Sequence, residues 1–466
     1  MKKPFSNSDQ YHAQLRAIEQ QISQNRLQEA ALQLNLLVKS NSHDPRLFLL
    51  GSRLAEAAHN TDGMLEAARK AHQLAPEWPI ATIHLASVLA IRGEAKEAMA
   101  MAEQAIQHID SHATQSNIEA ELLTRAAAVA RRLNLHQQGL QWLRRAEQIS
   151  PGDLTTRHEI ARSLIYSNDP VGAIDILDDL LRQLPNNPDL LSDRLRACLK
   201  AKMTEQAIRD GEFLVALDPS NDLYQFYLDI ARGITPKTQP VSLITGMFDS
   251  YAARFDHDLV VQLKYKLPRD VAQMISQWHP DRKVDVLDLG CGTGLLGACL
   301  GRINGALIGV DLSQEMIEKA AAHNVYDRFH RVNILDALEA TPSDHYDIIT
   351  ALDVLIYVGN LDAVIPNAYR ILLTGGRFVF SCEAGAAGEA DYALQSTFRY
   401  THQRSHVQHL LQEAGFGDID IQDRVLRHES GEPVQGFLVT ARKQAETTRT
   451  KARRSAKISK PGRPRS

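Results

Sequence analysis

A chain of 466 residues, 44% hydrophobic and 23% charged, has room for two or three domains and the composition of an ordinary globular protein, which excludes a mostly disordered chain. Its longest apolar runs, 306–310 and 348–352, fall far short of the ~18–20 residues of a bilayer span, and the start MKKPFSNSDQ lacks an apolar secretory segment, so a cytoplasmic protein with no membrane partner is expected. The net charge of -4 hides an asymmetry: residues 445–466 carry eight Lys/Arg against Glu446, a +7 tail that leaves -11 on the rest.

The first nine residues form a leader. Over residues 10–235 a period emerges. Pro151, Pro185 and Pro219 stand 34 residues apart, as do the small residues Gly139, Ala173 and Ala207 one helix earlier. Ala30, Ala67 and Ala98 take the same place upstream at less regular spacings of 37, 31 and then 41 to Gly139, the last pointing to an insertion near 112–116. A small residue lets two helices cross closely, and a proline stops the second helix. One such pair cannot bury its apolar face alone, so neighbours stack. This pattern resembles the tetratricopeptide repeat family, with about six degenerate repeats. That resemblance implies an all-α solenoid with a groove for a protein or peptide partner; a purely supporting array is the alternative.

Residues 236–246, within GITPKTQPVSLIT, have linker composition. From 247 to 442 the rhythm becomes α/β. Strands are expected at 283–289, 306–311, 329–333, 346–351, 377–382, 418–423 and 434–441. The last two are joined by the polar turn HESGEP, which makes the final strand antiparallel. Helices are expected at 295–302, 313–322, 361–372 and 405–414, with Ser313 as N-cap and Gly415 closing the last.

The strongest motif is VDVLDLGCGTG at 284–294: a buried strand ending in Asp288, then Gly290, Cys291, Gly292 and Gly294 before a helix. Glycines there let backbone approach a ligand at the carboxyl ends of the strands. The spacing is neither the dinucleotide G-x-G-x-x-G nor a P-loop. Asp311, closing the next strand in LIGVDLS 17 residues past the last glycine, can accept two ribose hydroxyls.

DLGCGTG and VDLS together resemble the class I S-adenosylmethionine-dependent methyltransferase superfamily. The resemblance implies a Rossmann-like seven-stranded fold, S-adenosyl-L-methionine as cofactor, Asp288 and the glycine loop near its methionine part, and Asp311 with Leu312 near the ribose. At the end of strand three the usual adenine-binding acid is replaced by Asn333, next to Ile334. Upstream, 247–268 resembles the segment preceding the fold in bacterial methyltransferases that carry tetratricopeptide repeats. FDSYAARFD at 248–256 is also similar to the entry helix of malonyl-carrier-protein and trans-aconitate methyltransferases, which implies that Tyr251 reaches the cofactor carboxylate; Phe255 shares its helix face.

Acceptor-side candidates follow strand four at 353–357 and strand five at 398–402. Asp353, Tyr357 and His402 are the catalytic candidates, and Arg399 and Tyr400 the substrate-binding ones. The N/D-P-P-[YF] signature of many amino-group methyltransferases is missing, which favours oxygen or carbon methylation of a small or carrier-bound acid. Four cysteines without CxxC spacing give no metal site. Two other readings stay open: a non-catalytic repeat adaptor, and an RNA or DNA methyltransferase guided by the tail, whose charge suits nucleic-acid phosphates.

Overall fold

In the computed structural model, the described residues are 9–58, 60–111, 116–248, 265–429 and 431–444. The chain divides into two compact units, Met1–Arg232 and Gly233–Ser466, within three residues of the expected end of the repeats.

The first unit is six antiparallel helix pairs and a closing helix: α1 Asp9–Ser23 with α2 Leu27–Ser40, α3 Pro45–Ala57 with α4 Thr61–Leu74, α5 Pro79–Ile91 with α6 Ala95–Ser111, α7 Ser116–Arg132 with α8 His136–Ile149, α9 Leu154–Tyr166 with α10 Pro170–Gln183, α11 Pro188–Lys200 with α12 Thr204–Leu217, and α13 Asp222–Ala231. Pro151, Pro185 and Pro219 lie in the turns after α8, α10 and α12. The small residues Ala30, Ala98, Ala173 and Ala207 are fully buried, because the partner helix crosses where a longer side chain would stand. A Cβ on Gly139 would sit 3.3 Å from the Ala127 carbonyl oxygen. The irregular 41-residue spacing has a simple origin. Helices α6 and α7 each run 17 residues, against 14 in α8, α10 and α12 and 13 in α9 and α11, which accounts for the seven-residue excess over 34. Ion pairs tie successive repeats: Asp193, 5% exposed, accepts from His158 Nε2 at 2.8 Å and Arg162 Nε at 2.7 Å, so each repeat is held by its neighbour.

The second unit is a nine-stranded sheet among the described residues: β1 Val286–Leu289, β2 Leu307–Asp311, β3 Arg328–Arg331, β4 Tyr346–Ala351, β5 Leu372–Ala384, β6 Tyr392–Leu394, β7 Tyr400–His402, β8 Phe416–Glu429 and β9 Glu432–Lys443. Strands β3, β2, β1, β4 and β5 are parallel neighbours in that order; β9 pairs antiparallel with β5, and β8 with β9. The seven expected strands are all present, with the final one antiparallel. Two short strands stand beside those seven. The short hairpin β6–β7 is added beside the end of β5, Glu383 pairing with Thr401 and Ala384 with His402; three-residue strands leave too little alternation to be recognised. Strand β3 ends at Arg331, and Asn333 instead caps a helix, Ile334–Ala340, that the hydrophobic pattern did not reveal.

The sheet core forms because β1 and β4 are apolar on both faces, as parallel strands covered by helices require. Val286, Leu289, Ile348, Ile349, Phe378 and Phe380 are all fully buried. Ser313 caps its helix as expected, accepting from Met316 N at 3.2 Å, and Gly415 closes Arg404–Ala414 at φ 100°.

The expected linker is corrected as well. Thr238 bridges Val358, Gln239 N donates to Tyr357 O at 3.1 Å, and Gly359 and Asn360 both donate to Lys237 O. Gln239 is only 5% exposed, and residues 241–248 are helical. The segment is part of the second unit, because backbone pairing overrides its proline-rich composition. The leader up to residue 8 and the tail beyond 444 lie outside the described residues. Among the described residues, no helix is long and apolar enough to cross a membrane.

Candidate active site

A cavity of about 430 Å3 opens over the carboxyl ends of β1, β2 and β4, where a doubly wound sheet places its ligands. The glycine loop forms its floor. Gly290 has φ 66° and a Cβ there would stand 2.4 Å from Val354 Cγ2, so both the left-handed conformation and the close approach require glycine. Gly292, at φ 53°, also lines the cavity. Gly294 does not, a correction to its expected cofactor contact. At φ 81° its Cα faces Ala320 and Tyr326, and it serves to pack the following helix.

Asp288 is 3% exposed. Thr350 Oγ1 donates to its Oδ1 and Tyr326 Oη to its Oδ2, each at 2.7 Å. Burial raises its pKa to about 6, against the pull of those two donors. Asp311 accepts from Gly292 N at 2.8 Å on Oδ2 and from Ser313 N at 3.0 Å on Oδ1. It therefore fixes the glycine loop as well as lining the cavity. Leu312, Ile334 and Asn333 line the same end; Asn333 Oδ1 accepts from Leu335 N at 2.8 Å. Cys291 is buried against the loop, and burial holds its thiol far above the usual range, so it is no nucleophile.

The opposite end is built around Arg427 on β8, 2% exposed. Its Nη1 donates to Asp353 Oδ1 at 2.6 Å, its Nε to Glu429 Oε1 at 2.8 Å, and its Nη2 to Glu383. Arg399 pairs with Glu429 and approaches Glu383 at 3.9 Å. Two guanidiniums thus serve three carboxylates. Burial raises the Asp353 pKa although Arg427 opposes it. Glu429 is held below its usual range because the Arg427 and Arg399 guanidiniums outweigh its burial. Asp353 has φ 57°, and its N donates to Ser381 Oγ at 2.8 Å; a left-handed aspartate directly after β4 turns the chain so that the carboxylate lines the cavity. Tyr357 and Tyr265 line it too. Both phenols are raised by burial and stay protonated, and the buried Tyr265 hydroxyl has no hydrogen-bond partner among the described residues.

Asp353, Tyr357 and Arg399 are therefore brought to the cavity. His402 and Tyr400 are not. Both are fully buried in β7 and absent from its lining. His402 Nε2 faces the carbonyls of Val358 and Gly359 at 3.0 and 3.1 Å, and burial lowers its pKa to about 4. A neutral donor to two carbonyls is a structural histidine, so its catalytic role and the substrate-binding role of Tyr400 are withdrawn. Tyr251, like Phe255, lies outside the described residues. Sequence reasoning missed Arg427, Glu383 and Glu429, and also the wall contributed by Thr238, Gln239, Ile244, Met247 and Phe248, with Phe248 edge-on to Tyr357 at 5.5 Å. The one available signal was the Arg427/Glu429 spacing of two, which puts both on one face of a strand.

Residues 280–428, within the second unit, match the family described as methyltransferase domain. The ubiquinone biosynthesis O-methyltransferase of Psychrobacter arcticus is 30% identical over 129 residues, 25% of this chain and 50% of that protein; the chain spans about half the length of the curated relatives it matches. Magnesium protoporphyrin IX methyltransferase from Synechocystis with bound S-adenosylhomocysteine aligns at a TM-score of 0.29 and 18% identity, covering 38% of this chain and 83% of that one. Pseudomonas aeruginosa pilF aligns at a TM-score of 0.38 and 14% identity, covering 46% and 95%.

Proposed function

We propose that the chain is an S-adenosylmethionine-dependent methyltransferase acting on a small-molecule, carrier-bound or protein acceptor, with the repeat unit recruiting a protein partner. The observation that carries this is the glycine loop locked to Asp311 at the floor of a cavity whose far end holds Asp353. The residues fit the cofactor. Gly290 and Gly292 line the cavity, Asp311 lines it at the end of β2 where a ribose would lie, Leu312, Asn333 and Ile334 offer an apolar and amide surface to a base, and the orphaned Tyr265 hydroxyl signals a polar occupant.

Bound there, S-adenosylmethionine supplies an electrophilic methyl group on a sulfonium. The protein's share is alignment, exclusion of water and the handling of one proton. Asp353, anchored on Oδ1 by Arg427 and with its pKa raised by burial, would take the proton that an acceptor hydroxyl or amine gives up. The apolar wall around Phe248 and Ile356 keeps water from the transfer. Since Arg399 is already paired with Glu429, an acceptor with a proton to lose, a hydroxyl or amine, fits better than the small acid expected from the sequence.

Calorimetric titration with S-adenosylmethionine tests the reading. Saturable binding by the native chain is expected, lost in Gly290→Val and weakened at least tenfold in Asp311→Ala; a folded native chain that binds nothing would refute it.

A further inference from the structure

In the repeat unit the first helices of successive pairs pack on one another, α1 on α3, α3 on α5 and so on to α11 on α13, while each second helix packs on the first helix of its own pair and on that of the next. A stack whose first helices stand closer together curves toward them, so they form its inner layer. Hydrogen bonds run along that layer: His84 meets Ser52 at 2.8 Å, Thr124 meets Thr156 at 3.0 Å, and Arg131 Nε donates to Glu159 at 3.0 Å. The two layers differ in charge. Helices α3, α5, α7, α9 and α11 carry ten Lys/Arg and six Asp/Glu, whereas α4, α6, α8, α10 and α12 carry seven and twelve. Residues 59 and 112–115, outside the described residues, contain none of these four types.

The positive charge gathers where α7, α9 and α11 end. Their last two turns, 125–132, 159–166 and 193–200, hold seven Lys/Arg and two Asp/Glu. Arg194 is turned away onto Asp178 and Asp210, and Arg125 pairs with Glu121. The two carboxylates, Glu159 and Asp193, are shared among Arg131, Arg162, Arg196 and His158. Arg132 and Lys200 are left. Arg132 makes no hydrogen bond or ion pair among the described residues, and Glu56 of α3 acts on it only at a distance. Its surface is open to solvent, yet the surrounding protein and Arg131 lower its pKa, as for a side chain standing in a concave wall. Lys200 Nζ donates to a carbonyl, Ile165 O at 2.8 Å, and lies 5.7 Å from the centre of the Tyr166 ring. That ring is 45% exposed, with the Arg196 guanidinium over it at 5.5 Å and His136 stacked on it at 5.0 Å. We propose that this end of the inner layer docks an acidic segment of a protein partner, with Arg132 and Lys200 meeting its carboxylates and Tyr166 its apolar side chains. This rests on the reading that the repeat unit recruits a protein partner and names the chemistry of that partner. The chain's own +7 tail has the wrong sign for the place. A continuous phosphate backbone would have to pass Glu56, Glu159 and Asp193, whereas a peptide can set neutral residues against them.

Fluorescence anisotropy on the full-length protein tests this with labelled dodecapeptides of alternating Ser-Glu, Ser-Gln and Ser-Lys, and with a labelled single-stranded dodecathymidylate. The acidic peptide is expected to bind saturably and at least about tenfold more tightly than the other three probes, a factor worth about 1.4 kcal/mol, and to weaken as salt rises. In Arg132→Glu with Lys200→Glu, checked for folding by circular dichroism, that binding is expected to fall at least about tenfold. In Lys70→Glu with Arg144→Glu, the same change of charge on second helices, it is expected to stay within about twofold of the native value. An unchanged affinity in the first folded variant would overturn the proposal. So would an equal loss in both, which would make net charge rather than this place responsible, or tighter binding of the oligonucleotide. A neutral or basic peptide bound in preference to the acidic one would overturn it while leaving partner recruitment standing. If none of the peptides binds, recruitment of a peptide segment by the repeat unit falls with it.

Discussion

Removing the charge of Arg427 while keeping its bulk, as in Arg427→Met, is the sharpest single perturbation the structure offers. The guanidinium is 2% exposed and bonds carboxylates from three places in the chain, Asp353 after β4, Glu383 on β5 and Glu429 on β8. Methionine fills most of the volume, so the cost is the uncompensated charge rather than a cavity. Removing one partner of a buried ion pair costs about 3–5 kcal/mol. For a unit of this size each kcal/mol moves Tm by about 2–4 °C, so the calorimetric transition of the second unit falls by roughly 6–20 °C at pH 8. The loss also depends on pH. With only Arg399 left, the folded-state carboxylates bind protons more readily than in the unfolded chain. A folded pKa raised above the unfolded one means that the charged form opposes folding. The destabilisation is therefore full above the raised values and fades as pH falls toward the ordinary carboxylate range near about 4. Differential scanning calorimetry from pH 5 to 8, following that unit's transition apart from the repeats, measures both. A loss below about 1 kcal/mol, or one identical at pH 5 and 8, would refute the argument that Arg427 neutralises a buried anionic cluster.

Two further outcomes follow from the floor of the site. In Gly297→Ala the new Cβ would lie 2.3 Å from Tyr326 Cε2, and moving that ring disturbs its bond to Asp288; overpacking of about 1–3 kcal/mol is expected to outweigh the gain of about 1 kcal/mol in helix propensity, and a variant more stable than the native chain in urea would show that the ring yields freely. Asp288 has its folded pKa raised from 3.8 to about 6, so its contribution to stability is largest below 3.8 and is lost as pH rises through about 6; Asp288→Asn is expected to flatten the pH dependence of the second unit's stability across that window, and an unaltered slope would assign the dependence to other groups.

The parts of this chain legible in its sequence are those governed by local rules. A 34-residue spacing of prolines and small residues is the period of a repeated helix pair, and the pairs are there, down to the buried Ala173 and Ala207. The glycine loop was legible because backbone conformation demanded glycine at fixed steps after a buried strand. What escaped was set by tertiary pairing. His402 and Tyr400 belong to a polar-aromatic stretch that reads as a substrate loop, yet a three-residue strand carries both into the core. Residues 237–240 have the composition of a linker, yet their backbone pairs with Tyr357, Val358 and Gly359.

The acidic network was hidden for a different reason. Asp353 and Arg427 are 74 residues apart and meet only because β9 returns antiparallel beside β5 and carries β8 with it. Each of its members, taken alone, is an ordinary polar residue at a strand or its edge, and no periodicity marks it. Yet its burial makes it costly, and parallel β4 and β5 could have been joined by apolar side chains at less expense. Asp353, Glu429, Arg399 and Arg427 line the cavity, with Glu383 buried behind them. With the glycine loop and Asp311 at one end and the Arg427 network at the other, the cavity offers the two separate surfaces that the proposed function assigns to cofactor and acceptor.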